Sequence, residues 1–185
     1  MSRSFAQRFP VPPWRYRLAV AVERCMRDFN LQNLANTVWA FATVGLKEER
    51  LFTACACAAE LRMRDSNSRD LAKIAWAFAT VRHEEGRLFT ALADATEWGM
   101  SELKYQALAN IAWAFASVGR KEELLFTALA AAAEQCIGDF NSQSFTNTAW
   151  AFATVDHKEK RLLQNLRASV RDTRQEEKGP HPGCG

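Results

Sequence analysis

The sequence predicts an all-α fold, an α-solenoid (superhelix) of four tandem 37-residue helical hairpins plus a leading half repeat. Three observations carry this expectation. Tryptophans stand at Trp39, Trp76, Trp113 and Trp150, each 37 residues after the last. Their surroundings recur as NTVWAFATVG, KIAWAFATVR, NIAWAFASVG and NTAWAFATVD. After each comes a polar turn with a glutamate (Glu48, Glu85, Glu122, Glu159) and then a leucine opening the next apolar stretch (Leu51, Leu88, Leu125, Leu162). A fixed period of this size marks stacked supersecondary units, none of which can bury its apolar face alone.

The elements follow in chain order. Residues 1–13 are expected to be a flexible segment, and the helical-repeat domain to span 14–172. Through residue 22 the chain has no Asp or Glu, but carries Arg3, Arg8, Arg15 and Arg17 beside Ser2 and Ser4, the composition of an organellar transit segment. WRYRLAVAVERCMRDFN, from Trp14, aligns with LFTACACAAELRMRDSN, from Leu51, with Glu23 over Glu60 and Met26 over Met63. Residues 14–27 are therefore a half repeat, a second helix without its first. Full repeats are expected at about 28–64, 65–101, 102–138 and 139–172, with a disordered polar tail over 173–185.

Within a repeat, the first helix is expected over Leu31–Val44. Asn30, Asn67 and Asn141 are placed to accept the orphan N–H groups at its start. Lys104 takes that place in the third copy, so its cap must differ. Gly45 and Gly119 suit a left-handed closing turn. The second helix is expected over Glu48–Met63, acidic at its start and basic near its end as the helix dipole favours, with alanines that allow close approach. Trp39 and Phe41 point to nearly opposite sides of the first helix, so that helix must be covered on several sides. The fourth second helix, RLLQNLRASVRDTR, is more polar, as a terminal cap requires.

Composition narrows the function classes. The chain is 48% hydrophobic and 24% charged, and 24 basic residues against 21 acidic ones leave +3, mildly basic. No apolar run reaches the length of a membrane span, so no span is expected and no membrane is read as a partner. The cysteines of the helices read as small apolar fillers in a reducing compartment, and no CxxC or CxxH spacing supports zinc. His83 and His157 share a register but have no third ligand near them, so they read as turn residues. There is no Gly-rich phosphate loop, no HExxH, and no recognisable Ser/His/Asp motif. The reading is of a non-enzyme without cofactor, metal or small-molecule substrate.

With the expected buried positions removed, one stripe of the first helix remains: Gln32, Asn33, Asn36, Thr37, Ala40 and Thr43. Its counterparts supply the candidate RNA-binding residues Gln32, Asn33 and Asn36; Arg69, Asp70 and Lys73; Gln106 and Asn110; and Gln143, Ser144 and Asn147. Amide and carboxylate side chains hydrogen-bond base edges, and one-base-per-repeat readers use such positions. Capping and hydration would explain the same polarity. Asn36 stands out because Asn has poor propensity inside a helix and no capping duty there. Basic residues at the turns (Lys47, Arg82, Arg87, Arg120, Lys121, Lys158, Lys160, Arg161) would suit a phosphate backbone, although each lies near glutamates.

At NLANTVWAFATVG and its echoes, the chain resembles the organellar heptatricopeptide and octotricopeptide repeats. It is also similar to the helical repeats of RAP-domain proteins and of a mitochondrial RNA-editing substrate-binding subunit. The resemblance covers roughly residues 14–172. It implies an α-solenoid binding single-stranded RNA in a mitochondrion or plastid, alongside other proteins of an RNA-processing complex. It also implies support of transcript processing, stability or translation. No RAP domain follows the repeats in these residues, so none of that domain's activity is carried over. The rival expectation is a protein-interaction scaffold using the same concave surface.

Overall fold

The computed structural model describes residues 13–63, 66–83 and 85–155, with side chains from Arg17 onward. Expectations for residues 1–12, for the fourth second helix and for the 173–185 tail lie outside these residues. Every described element is helical: α1 (Pro13–Cys25), α2 (Leu31–Thr43), α3 (Glu49–Glu60), α4 (Ser68–Val81), α5 (Gly86–Trp98), α6 (Tyr105–Ser117), α7 (Glu123–Cys136) and α8 (Ser142–Thr154). The half repeat is α1. The first helices are α2, α4, α6 and α8, and the second helices are α3, α5 and α7.

The starts of the first helices are set by asparagine. The Asn30, Asn67 and Asn141 side chains accept from the backbone N–H of Asn33, Asp70 and Ser144 at 2.8, 3.0 and 2.8 Å. Lys104 makes no such bond, leaving α6 without a side-chain cap. Closure is equally regular. Gly45 and Gly119 have φ of 70° and 74°, where an L side chain is strained. Arg82 stands in the same register at φ 54°, so one copy closes the same turn with a residue that resists it. The second helices end earlier than expected, α3 at Glu60 rather than Met63. After α1, α5 and α7 the chain tightens into a 3₁₀ turn, which meets some of the orphan carbonyls of a helix end. Arg62 meets another, donating to the Ala58 carbonyl at 2.6 Å.

The helices form two rows. α2, α4, α6 and α8 pack one against the next, α1, α3, α5 and α7 do likewise, and each hairpin joins the rows. The core between them is one aromatic pair repeated. Phe52 meets Phe78, Phe89 meets Phe115, and Phe126 meets Phe152, edge to face, with centroids 5.3, 5.3 and 5.5 Å apart. All six rings are fully buried. A 37-residue step thus reproduces side-chain geometry as well as sequence. Next to the rings sit His83 and Arg120, in one register with the buried Leu46. His83 lies 5.9 Å from both Phe52 and Phe78, and the Arg120 guanidinium 5.7 Å from the Phe89 ring.

Close approach, expected from the alanines of the second helices, extends to the first-helix row, where Ala35, Ala72, Ala75, Ala109 and Ala112 are buried. Two expectations are corrected. Of the two rings expected to be covered on nearly opposite sides of the first helix, Phe41 is buried, but Trp39 is 45% exposed. Of the helical cysteines Cys55 is buried and Cys136 packs half-buried against the core, whereas Cys25 and Cys57 are exposed on the outer side of their helices. Burial, reinforced by the Glu23 carboxylate, pushes the Cys55 thiol up to about 12.

Candidate nucleic-acid interface

The exposed side of the first-helix row carries a ribbon of matching side chains. Gln32, Arg69, Gln106 and Gln143 are all exposed. The next turn brings Asn36, which is exposed, and Lys73, Asn110 and Asn147, which are half-buried. Equivalent positions meet across copies: the Lys73 ammonium donates to the Asn36 side-chain oxygen at 2.7 Å. That bond spans one repeat step and shows that the row is continuous between α2 and α4. It uses the Asn36 oxygen and leaves the amide N–H groups of this exposed residue out of that bond, so a ligand that accepts hydrogen bonds can meet both them and the Lys73 charge.

The third turn of the ribbon carries the indoles. Trp39 and Trp150 are 45% and 44% exposed, and Trp76 and Trp113 are half-buried. Trp113 and Trp150 lie side by side, with centroids 6.3 Å apart and planes 36° from parallel. The spacing of these tryptophans marks the repeat, and they are expected among the covered positions of the first helix. Spacing contained the correction: Trp39 follows Asn36 by three residues and Gln32 by seven, so all three share one helical stripe. The ribbon therefore pairs polar groups, of the kind that can hydrogen-bond base edges, with flat π-faces, of the kind on which bases can stack.

Other predicted members do not reach this surface. Asp70 is 4% exposed, and its carboxylate accepts from the Asn67 side-chain amide at 2.9 Å, closing the cap of α4. Ser144 is 3% exposed in the corresponding place of α8. Asn33 holds that register in α2 and is exposed because no first helix precedes α2 among the described residues. Ala40 is open for the same reason, whereas Ala77, Ala114 and Ala151 are fully buried and leave no gap for a ligand. The ribbon is thus narrower than predicted on its amide side and wider on its aromatic side.

The turn cations divide similarly. Arg120 is a structural residue: its Nε donates to Glu122 at 2.9 Å and its Nη1 to the Gly86 carbonyl at 3.2 Å. Lys47, Arg82, Arg87 and Lys121 are exposed, with Arg87 only 3.9 Å from Glu60. Lys158, Lys160 and Arg161 lie outside the described residues. His83 is held by Thr53 and Glu85, both at 3.3 Å. Among the described residues no group of three or more His, Cys, Asp or Glu is placed to hold a metal, and no helix is long and apolar enough to cross a membrane.

Tandem helical hairpins with an amide-and-indole ribbon along one row define a helical-repeat protein. The chain belongs to the RNA-editing substrate-binding complex 6 protein family, whose model matches residues 15–175. Of the resemblances seen in the sequence, the match supports the one to an RNA-editing substrate-binding subunit. A search of curated proteins gives no match.

Proposed function

We propose that this chain is a non-enzymatic, single-stranded RNA-binding protein that works within an RNA-editing substrate-binding complex. In this reading the two rows of helices form a superhelical array of the heptatricopeptide or octotricopeptide kind. Its binding face is the first-helix ribbon, and its setting is a mitochondrion or plastid. The observation that carries the proposal is the contact of equivalent ribbon residues one repeat apart, Lys73 on Asn36, with the indoles of Trp113 and Trp150 adjoining on the same face. The family description supplies the editing complex, and the acid-free, arginine-bearing sequence before Glu23 supports the organelle.

Recognition follows from the geometry. Bases stack against the indole faces, a sequence-tolerant interaction, while the Gln and Asn amides and Lys73 bond their edges and phosphates. The uneven copies, with Arg69 and Lys73 only in α4, give that repeat a stronger pull on phosphate than its neighbours. A titration of labelled single-stranded RNA at two salt concentrations tests the proposal. Measurable binding that weakens with salt is expected. Absence of binding at low salt by folded protein would transfer the ribbon to a protein ligand.

A further inference from the structure

A groove of about 590 Å³ opens between the C-terminal halves of α3 and α5, in the row of helices that does not carry the ribbon. Its wall is apolar at Met63, Ala91 and Ala95, and the carboxylates of Glu60 and Asp94 line it. Trp98, the last residue of α5, also lines it and is 91% exposed. One repeat earlier in the same register, Leu61 is 85% exposed. The matching positions at the ends of α1 and α7 hold Arg24 and Gln135, so large exposed apolar residues in this register occur only at the ends of α3 and α5 among the described residues. An exposed indole at the edge of an apolar-walled groove marks a contact surface.

Charge selects the occupant. Asp94 and the nearby exposed Glu97 have no ion pair among the described residues, and Glu60 has only the long contact to Arg87. Among the described residues just after α3, Arg62 is turned toward the 3₁₀ turn that follows α1, where it reaches the Arg27 carbonyl at 3.4 Å. We propose that the groove docks a segment of a partner protein that presents arginine or lysine next to an apolar side chain. The cation sits between the Asp94 carboxylate and the Trp98 ring, gaining charge pairing and a cation–π contact, while its aliphatic stem lies on Met63, Ala91 and Ala95. The same carboxylates repel phosphate, so RNA does not compete for the site. Ribbon and groove lie on different rows, and the chain can hold RNA and a protein together.

The test uses the chain labelled with 5-fluorotryptophan, the Trp98 fluorine resonance being the one lost in Trp98→Phe. The probe is a short amphipathic peptide with leucines on one helical stripe and arginines beside them; its counterpart has glutamate for each arginine. Expected are a saturable shift at Trp98 with the arginine peptide and none with the glutamate peptide or with single-stranded RNA. Asp94→Lys is expected to weaken the arginine peptide at least about tenfold while leaving RNA affinity unchanged. A Trp98 resonance that ignores the arginine peptide, or moves equally with the glutamate one, would overturn the proposal. So would an Asp94→Lys chain that binds like wild type.

Discussion

Trp113→Leu separates the two duties a ribbon indole can have. The ring is half-buried on α6 and lies 6.3 Å from that of Trp150. Leucine keeps helix propensity and apolar contact with the neighbouring helices, so the structural loss is mainly the ring pair, about 0.5–1.5 kcal/mol. That is small against the roughly 5–15 kcal/mol of a folded domain, and helicity by circular dichroism should be retained. For RNA the loss is larger. Stacking one base on an aromatic face contributes about 1–3 kcal/mol, so affinity should fall by about 5-fold to about 150-fold. No cation is removed, so the slope of log affinity against log salt should not change. Lys73→Gln is the opposite case: a modest fall in affinity with a slope shallower by about 0.7, one single-strand phosphate contact. Fluorescence anisotropy over several salt concentrations reads both quantities. A Trp113→Leu protein with wild-type affinity and intact helicity would refute the stacking argument, as would a change in its salt slope.

Three further outcomes test the fold. Phe89→Ala removes one member of a fully buried edge-to-face pair and should cost about 3–5 kcal/mol in urea unfolding, with Phe126→Ala close to it if the copies are equivalent. Gly119→Ala meets nothing within 4 Å of the added carbon, so its cost should be backbone strain alone, about 1 kcal/mol, and Arg82→Gly should shift stability less and in the opposite sense. Cys55 titrates at about 12 when folded against an ordinary 9.0; its contribution is complete below pH 9.0 and is lost as pH rises toward the folded value. Relative to Cys55→Ala, the wild-type unfolding free energy should therefore decline by up to about 1.4 kcal/mol per pH unit across that window, and parallel curves would contradict the burial assigned to this thiol.

The fold was legible because its signals are local and repeated. Asparagine caps, closing glycines and the tryptophan register each state one fact several times, and the capping bonds of Asn30, Asn67 and Asn141 follow directly. Side-chain accessibility was less legible because it depends on what covers each helix. Asn33 and Ser144 share a register, yet one is open and the other sealed by its neighbouring copy, a difference no single helix can display. The indoles depart from expectation for a related reason. Opposite-facing Trp39 and Phe41 imply cover on both sides, while the small buried alanines of the row pack the first helices together and leave the indoles at the rim. Arg82 shows the limit from another side, since a residue with little left-handed propensity takes that conformation when the copies around it impose the turn.

The ribbon itself is tested most directly by replacing Asn36, Lys73, Asn110 and Asn147 with alanine together and titrating single-stranded RNA at low salt. None of the four is fully buried, and alanine favours helix, so the variant should remain folded. Affinity should drop by more than tenfold, roughly what four edge and phosphate contacts of a few tenths of a kcal/mol or more each supply. Wild-type affinity in a variant of intact helicity would place the RNA elsewhere on the molecule.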